Sequence, residues 1–367
     1  MISQTDKFNT LFSKASMGNL QIKNRIGLAP MTRISASDTG EATDLMVKYY
    51  AKFARGGFGF LITEGTFPDE EYSQAYLNEP GIANQNHVEA WKKVTKAVHK
   101  EGIPIFLQLM HAGSQSQGNI FRDETIAPSS VRPKGEQLPI YRGDGPFAVP
   151  REMTKDEIHR VICSFADSAL RAKEAGFDGV EIHGANGYLL DQFLTDYMNQ
   201  RPDEYGGSTE NRVRLLMEIC EAVRKKVGEN YIVGIRISQG KVSDHNHKWA
   251  GKEKDAEIIF SGLAKTGIDY IHVTEYDATK PAFEGTEHTL AALAKKFGKI
   301  TVIANGNLED PKKAEELLQK GEADFITLGK GALANQDYPN RVLNGEQIRD
   351  FEFSLLQPLA NIKDMET

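Results

Sequence analysis

The chain has 367 residues, 40% of them hydrophobic and 26% charged, and a net charge of −7. That is the make-up of a globular protein with a large core, and the acidic balance argues against nucleic acid or an anionic membrane surface as partner. No run nears the ~20 apolar residues of a membrane span, residues 1–9 are polar with no signal-peptide core, and two cysteines exclude a disulfide framework or an iron–sulfur cluster.

In chain order, Met17-Gly18-Asn19-Leu20 can turn a short hairpin ahead of a first core strand at 26–30. A helix is expected over 44–55, stopped by Gly56-Gly57, then a strand over 58–63. The helix over 85–100 carries Val88, Trp91, Val94 and Val98 near helical spacing, and a third strand covers 104–109. Residues 110–153 break the rhythm. They are rich in Pro, Gly and Ser, and so long an irregular stretch is usually functional or capping. Thr154-x-x-Glu157 is a capping box for a helix ending near Ala175, with Gly176 after it. An apolar strand over 179–182 then ends in His183, followed by Asn186 and Tyr188.

The alternation continues with helices over 210–227, 253–265, 288–297 and one opened by Asp310-Pro311, and strands over 231–237, 270–273, 300–304 and 325–328. A short helix over 338–343 comes last. Three junctions look alike: Ala175-Gly176-Phe177-Asp178, Thr266-Gly267-Ile268-Asp269 and Gly321-Glu322-Ala323-Asp324. Each is a helix stop feeding a short apolar strand. Cys163 and Cys220 fall inside helical patterns and read as buried small hydrophobes, as a reducing cytoplasm would allow. The acidic and basic residues of 312–320 read as a solvated face. Eight strand–helix units fit a (β/α)8 TIM barrel, an α/β fold, better than an open sheet. With no linker in view, residues 1–367 read as one domain with an N-terminal hairpin and a capping insertion at 110–153.

In such a barrel the chemistry lies at the C-terminal ends of the strands. Gln108, His183 and Arg236 stand there among Ile, Leu and Val, where a polar side chain without a partner is costly. They could satisfy one another in a structural network, or a polar cofactor could satisfy them, and their shared place favours the cofactor. His183 alone could equally be a buried histidine that ties down a loop. Ala304-Asn305-Gly306-Asn307 and Gly329-Lys330-Gly331 follow strands seven and eight, where barrels often bind phosphate through backbone N–H groups. Gly329-x-Gly331-x-x-Ala334 imitates a dinucleotide fingerprint, but it stands at the wrong end of the chain, so a mononucleotide phosphate is the better reading. His245 and His247 read as solvated loop residues, not metal ligands.

Together the motifs resemble the old yellow enzymes, flavin-dependent ene-reductases. The resemblance rests on Asn24-Arg25-Ile26-Gly27-Leu28-Ala29-Pro30-Met31-Thr32-Arg33, Ile62-Thr63-Glu64-Gly65 and Gln108-Leu109-x-His111-Ala112-Gly113. It rests also on His183-Gly-Ala-Asn186-Gly-Tyr188-Leu-Leu-Asp-Gln-Phe and Tyr205-Gly206-Gly207-Ser208-x-Glu210-Asn211-Arg212, and it runs from about residue 8 to 345. It implies FMN bound without a covalent link, and NADH or NADPH as hydride donor. Ala29, Pro30, Met31, Thr32 and Gly65 would line the flavin, Gln108 and Arg236 would meet its pyrimidine edge, and Gly306, Asn307, Gly329 and Lys330 would hold its phosphate. His183 and Asn186 would donate to the oxygen of an α,β-unsaturated carbonyl while hydride arrives from flavin N5, and Tyr188 would protonate the α-carbon.

Two departures from the family stand out. Lys330 replaces a common Arg, and a point charge cannot fork onto a phosphate. Met110 replaces a common Trp beside the substrate, so the stereochemical outcome does not carry over. A cytoplasmic enzyme is expected, with a small activated alkene and a nicotinamide as partners, and a monomer or a homodimer stays open. Two other readings remain: another FMN barrel, such as a dienoyl-thioester reductase or a dihydroorotate-type dehydrogenase, and a flavin-binding redox sensor without turnover.

Overall fold

In the computed structural model, eight parallel strands close a barrel in the order β10-β11-β12-β3-β4-β5-β8-β9. These are β3 (Ile26–Leu28), β4 (Phe60–Thr66), β5 (Ile105–Leu109), β8 (Gly179–Asn186), β9 (Ile232–Lys241), β10 (Tyr270–Thr274), β11 (Thr301–Asn305) and β12 (Phe325–Leu328). Helices between them bury their apolar faces against the outside of the barrel, so the expected (β/α)8 architecture stands. The structure describes residues 7–367; residues 1–6, part of the polar N-terminal stretch, lie outside the described residues.

Side chains alternate along a strand, and every second one points into the barrel. Phe60, Ile62, Phe106, Ile232, Tyr270, Ile303 and Phe325 fill its lower interior. The N-terminal hairpin, β1 (Ala15–Met17) and β2 (Leu20–Ile22), adds Met17 and Ile22 to that cluster and so closes the bottom of the barrel. Large rings fit only because glycines face them: a Cβ on Gly27 would overlap the Phe60 ring, and one on Gly234 would overlap Tyr270.

The three look-alike junctions do more than stop helices. In each, the glycine takes a positive φ (Gly176 at 85°, Gly267 at 79°, Gly321 at 70°), which ends the helix. The aspartate three or two residues on then accepts a backbone N–H from the first or second residue of the neighbouring strand. Asp178 accepts from Ile105, Asp269 from Val233 and Asp324 from Val302, all at 2.8 Å. Each also pairs with a base from the preceding helix or its neighbour: His99, Arg224 and Lys295. One device therefore satisfies three strand starts at the bottom of the barrel.

Element boundaries shift where side chains extend the ladders. β8 runs past His183 to Asn186, because β9 continues to Lys241 beside it and the Ser238 hydroxyl accepts the Asn186 N–H at 2.8 Å across a register shift. Phe58 is not in β4 but packs in the outer core. The helix expected over 210–227 is two segments, Thr209–Arg212 and Arg214–Val227. Residues 110–153 carry only β6 (Ile126–Ala127), paired with β7 (Arg151–Glu152), and two single 3-10 turns. Cys220 is buried as expected, but Cys163 is exposed, since it lies on the outer face of its helix. Glu315 breaks the solvated pattern of 312–320: it is buried and accepts the N–H groups of Thr10 and Leu11.

The interior packing predicts that Gly234→Ala will lower unfolding free energy by about 1–3 kcal/mol through overpacking against Tyr270. Urea denaturation would show it. Gly262→Ala, in a helix against the flexible end of Met217, should be neutral or stabilising by the same measurement.

Candidate active site

Above the aromatic layer the barrel interior turns polar. Glu181 of β8 is fully buried. Its Oε1 accepts from Gln108 Nε2 at 2.8 Å, and its Oε2 accepts from Tyr270 Oη at 3.2 Å and from His272 Nδ1 at 2.8 Å. His272 Nε2 lies 2.8 Å from Thr327 Oγ1. Burial would raise the Glu181 carboxyl, but His272, Arg236 and the Gln108 amide more than offset it, so it is held low and ionised. Burial lowers His272, so we assign a neutral ring that donates from Nδ1 and accepts the Thr327 hydroxyl at Nε2.

One step higher, β8 and β9 place His183 beside Arg236 in register. Arg236 donates from Nη2 to Asn305 Oδ1 at 2.9 Å, and Asn305 also takes the Thr274 hydroxyl at 2.7 Å. Arg236 Nε and His183 Nδ1 are buried with no partner among the described residues. Such orphans each cost roughly 1–3 kcal/mol and call for a partner. Burial first, then the positive charge of Arg236, presses His183 well below its ordinary range, so its imidazole is neutral.

The segment after His183 is held from below. Asn186 adopts φ 61°, and its half-buried carboxamide has no hydrogen bond among the described residues. The Gly187 N–H goes to Asp191 Oδ2 at 2.7 Å. Asp191 pairs with Lys241 at 3.1 Å, and both side chains are completely buried. This pair fixes the turn that delivers Tyr188. The Tyr188 ring lies 5.1 Å from the His183 ring, and its hydroxyl is 2.7 Å from the Tyr76 hydroxyl.

Ala29, Pro30, Met31 and Thr32 continue from the end of β3. Arg33, next in the chain, is buried and forks onto Glu366 with two 2.6 Å bonds, while its N–H goes to Glu64 at 2.7 Å. Burial pushes Glu64 up to about 7. The C-terminal segment is thus tied to the loop that carries Thr32. Gly65 sits where a register shift in β4 brings it level with Gln108, and a Cβ there would meet Met110 Sδ at 2.6 Å. Met110 therefore lies directly against Gly65.

The two glycine loops behave differently. A Cβ on Gly329 would meet only the Met31 side chain, at ordinary contact distance (3.6 Å to Sδ), so space remains above it. Gly306, at φ 135°, is required by packing, because a Cβ would overlap the Glu275 carbonyl. The Asn307 amide turns to Asp277 at 3.1 Å, leaving its backbone for a ligand. Lys330 is exposed, with its ammonium 5.9 Å from the Phe351 ring centre. Gln108, His183, Arg236, Asn186 and Tyr188 thus converge on one mouth, with the β3 end and Gly65 beside it and the two glycine loops at its β11–β12 rim. A buried unpartnered Arg236 Nε–H and an open glycine loop fit a flat polar ring carrying a phosphate.

Sequence reasoning missed Glu181 as a hub, along with His272, Asn305, Tyr76 and the Arg33–Glu366 clamp. A polar alternation Glu181-x-His183 was visible; the partners on other strands were not. His247 is not solvated: its Nδ1 lies 3.1 Å from the Gln239 carbonyl. No metal-binding group of acids, histidines and cysteines occurs among the described residues. A cavity of about 520 Å³ lined by Asp69, His111, Arg122, His159 and Cys163 lies outside the barrel mouth and contains none of the predicted site residues.

The profile of the NADH:flavin oxidoreductase / NADH oxidase family matches residues 10–348. An NADH oxidase of Thermoanaerobacter brockii is 34% identical over 93% of this chain, and the chain spans about half (52%) of that relative's length. 12-Oxophytodienoate reductase 2 of Arabidopsis thaliana is 35% identical over 90% of this chain and 87% of its own. The old yellow enzyme homologue from Zymomonas mobilis superposes with a TM-score of 0.87 at 31% identity, covering 97% of this chain and 98% of that one.

Lys241→Ala would leave the Asp191 carboxylate buried without its counter-charge, and should cost about 3–5 kcal/mol in chemical unfolding. A loss below about 1 kcal/mol would show that the pair is not what holds the turn.

Proposed function

This chain belongs to the NADH:flavin oxidoreductase / NADH oxidase family, the old yellow enzymes, and we propose that it reduces the C=C bond of α,β-unsaturated carbonyl compounds. It is an FMN-dependent oxidoreductase that draws on a nicotinamide nucleotide. The observation that carries the alkene reading is the convergence of a neutral His183, a carboxamide at Asn186 and a phenol at Tyr188 on one mouth. The name of the Arabidopsis relative, a reductase of an oxo-diene, supports the same substrate class.

FMN, when bound, supplies hydride chemistry at its N5 atom. The chain's own residues do the rest. Gln108 has its amide Nε2 engaged by Glu181, so its carbonyl oxygen is left to accept from a ring N–H. Arg236 has a free Nε–H that would meet the pyrimidine edge, where a fixed positive charge would favour an electron-rich ring. Ala29, Pro30, Met31 and Thr32, which follow β3, and Gly65, level with Gln108, would form the wall against the ring. Backbone N–H groups around Gly306, Asn307 and Gly329, with Lys330, would hold the phosphate.

His183 and Asn186 donate to the carbonyl oxygen of the substrate. Both are uncharged donors set in place before reaction, so they stabilise the negative charge that grows on that oxygen without reorganising. Tyr188 delivers a proton to the α-carbon. Burial pushes its phenol up to about 12, against the lowering effect of the Tyr76 hydroxyl, so it is protonated at neutral pH. Met110, lying against Gly65, offers a flexible thioether to the substrate rather than a rigid face.

Tyr188→Phe should slow reoxidation of the reduced enzyme by cyclohexenone about 100-fold or more, the usual scale of a lost general acid. Anaerobic stopped-flow would also show flavin reduction by NADH or NADPH slowed far less; equal losses in the two half-reactions would remove Tyr188 from this role. For the phosphate site, Lys330→Arg should leave FMN affinity equal or raise it, since a guanidinium can fork onto two oxygens. A large loss of affinity by fluorescence titration would move the phosphate elsewhere.

A further inference from the structure

The Tyr188 hydroxyl has one hydrogen-bond partner among the described residues, the Tyr76 hydroxyl at 2.7 Å. Both rings are buried, Tyr188 at 5% exposure and Tyr76 at 3%, so water has little access to either oxygen. Tyr76 comes from the loop after β4, far from Tyr188 in sequence, and it is held firmly. Glu79 accepts the N–H groups of Ala75 and Tyr76 at 2.6 and 3.3 Å. Tyr141, from the capping insertion, packs its ring 4.5 Å from that of Tyr76 and donates its hydroxyl to the Thr32 carbonyl at 3.4 Å. Ile34, Ala75, Met110 and Ala112 complete the apolar surroundings.

Between two phenols only one proton lies on the shared line. If Tyr188 donates to Tyr76, its proton points away from the mouth. If Tyr76 donates, the Tyr188 O–H is free to point at the substrate. The second arrangement alone leaves Tyr188 ready as an acid. It also leaves a donor aimed at the phenolate that forms once the proton has gone, and a hydrogen bond to a charged oxygen is the stronger kind.

We propose that Tyr76 primes and recharges Tyr188: it donates its hydroxyl to the Tyr188 oxygen, orients the Tyr188 proton toward the α-carbon, and passes on its own proton as the first one leaves. The inference rests on the reading of Tyr188 as the acid. In the step, the Tyr188 O–H bond breaks as the α-carbon C–H bond forms, and the Tyr76 O–H bond breaks as a new Tyr188 O–H bond forms. No electrons move between the tyrosines, and a solvent proton restores Tyr76 when the site opens. Tyr76 does not touch the substrate and acts only through the Tyr188 hydroxyl. The groups facing the pair are Glu79 on the Tyr76 loop, Tyr141 in the capping insertion, and His183 and Arg236 on β8 and β9. Arg236 is the cation among them, and it favours a transient phenolate at Tyr188.

Tyr76→Phe keeps the ring and removes only the hydroxyl. Single-turnover reoxidation by cyclohexenone should slow about ten- to a hundredfold, the range expected for losing a hydrogen bond to a charged group. Placed on Tyr188→Phe, the same change should cost nothing further. In mixtures of H2O and D2O the wild-type rate should vary with a curve set by two moving protons, and the Tyr76→Phe rate along a straight line. On the FMN-free protein, proton NMR should show a slowly exchanging hydroxyl resonance that both single variants lack. A Tyr76→Phe rate equal to wild type, an equal further loss on the Tyr188→Phe background, or an unchanged isotope curve would each overturn the proposal. If Tyr188→Phe itself spares alkene reoxidation, the acid assignment fails first and takes the proposal with it, an outcome distinct from failure of Tyr76 alone.

Discussion

A carboxylate in the middle of a barrel has to be satisfied by the strands around it, and Glu181 imposes that condition on this fold. Its two oxygens are met from β5 by Gln108 and from β10 by Tyr270 and His272, with the Arg236 charge on β9 nearby. Four adjacent strands are thereby fixed to one another through their interior side chains, in addition to their backbone ladders. An unpaired buried charge would be far more costly than any of these bonds is favourable, so the set holds together or fails together. The same set orients Gln108 and holds Arg236 in place, which is why the upper barrel is organised for a polar ligand while the lower barrel is packed with rings.

The two ends of the barrel also divide the labour of glycine and aspartate. At the bottom, Gly176, Gly267 and Gly321 stop helices and the aspartates after them accept strand N–H groups. At the top, Gly329 leaves open space beside Met31, and Gly65 lets Met110 pack directly against the backbone. Gly306 shows that a glycine in the functional half can still be structural, since the Glu275 carbonyl alone excludes a side chain.

The eight-unit rhythm was legible because short apolar strands and capped helices are local signals: the Thr154–Glu157 box and the Asp310-Pro311 start are both where the spacing puts them. His183 and Arg236 were legible because polar residues at apolar strand ends are anomalous. What sequence could not show was pairing at long range. Tyr76 reaches Tyr188 across 112 residues and Arg33 reaches Glu366 across 333, and neither carries a mark that names its partner. Strand limits were missed for a similar reason: β8 extends to Asn186 only because Ser238 of β9 bridges the register shift.

The neutrality of His183 follows from this electrostatic arrangement rather than from its own surroundings alone. Arg236 is fixed beside it by the ladder, and Glu181 is already committed to Gln108, Tyr270 and His272. An imidazolium would therefore stand next to a guanidinium with no free anion to answer it, inside a site that excludes water. A neutral donor answers growing charge on a carbonyl oxygen without binding anions indiscriminately in the ground state. With the imidazole held neutral, the proposed reaction draws the proton for the α-carbon from a different group, Tyr188 with Tyr76 behind it.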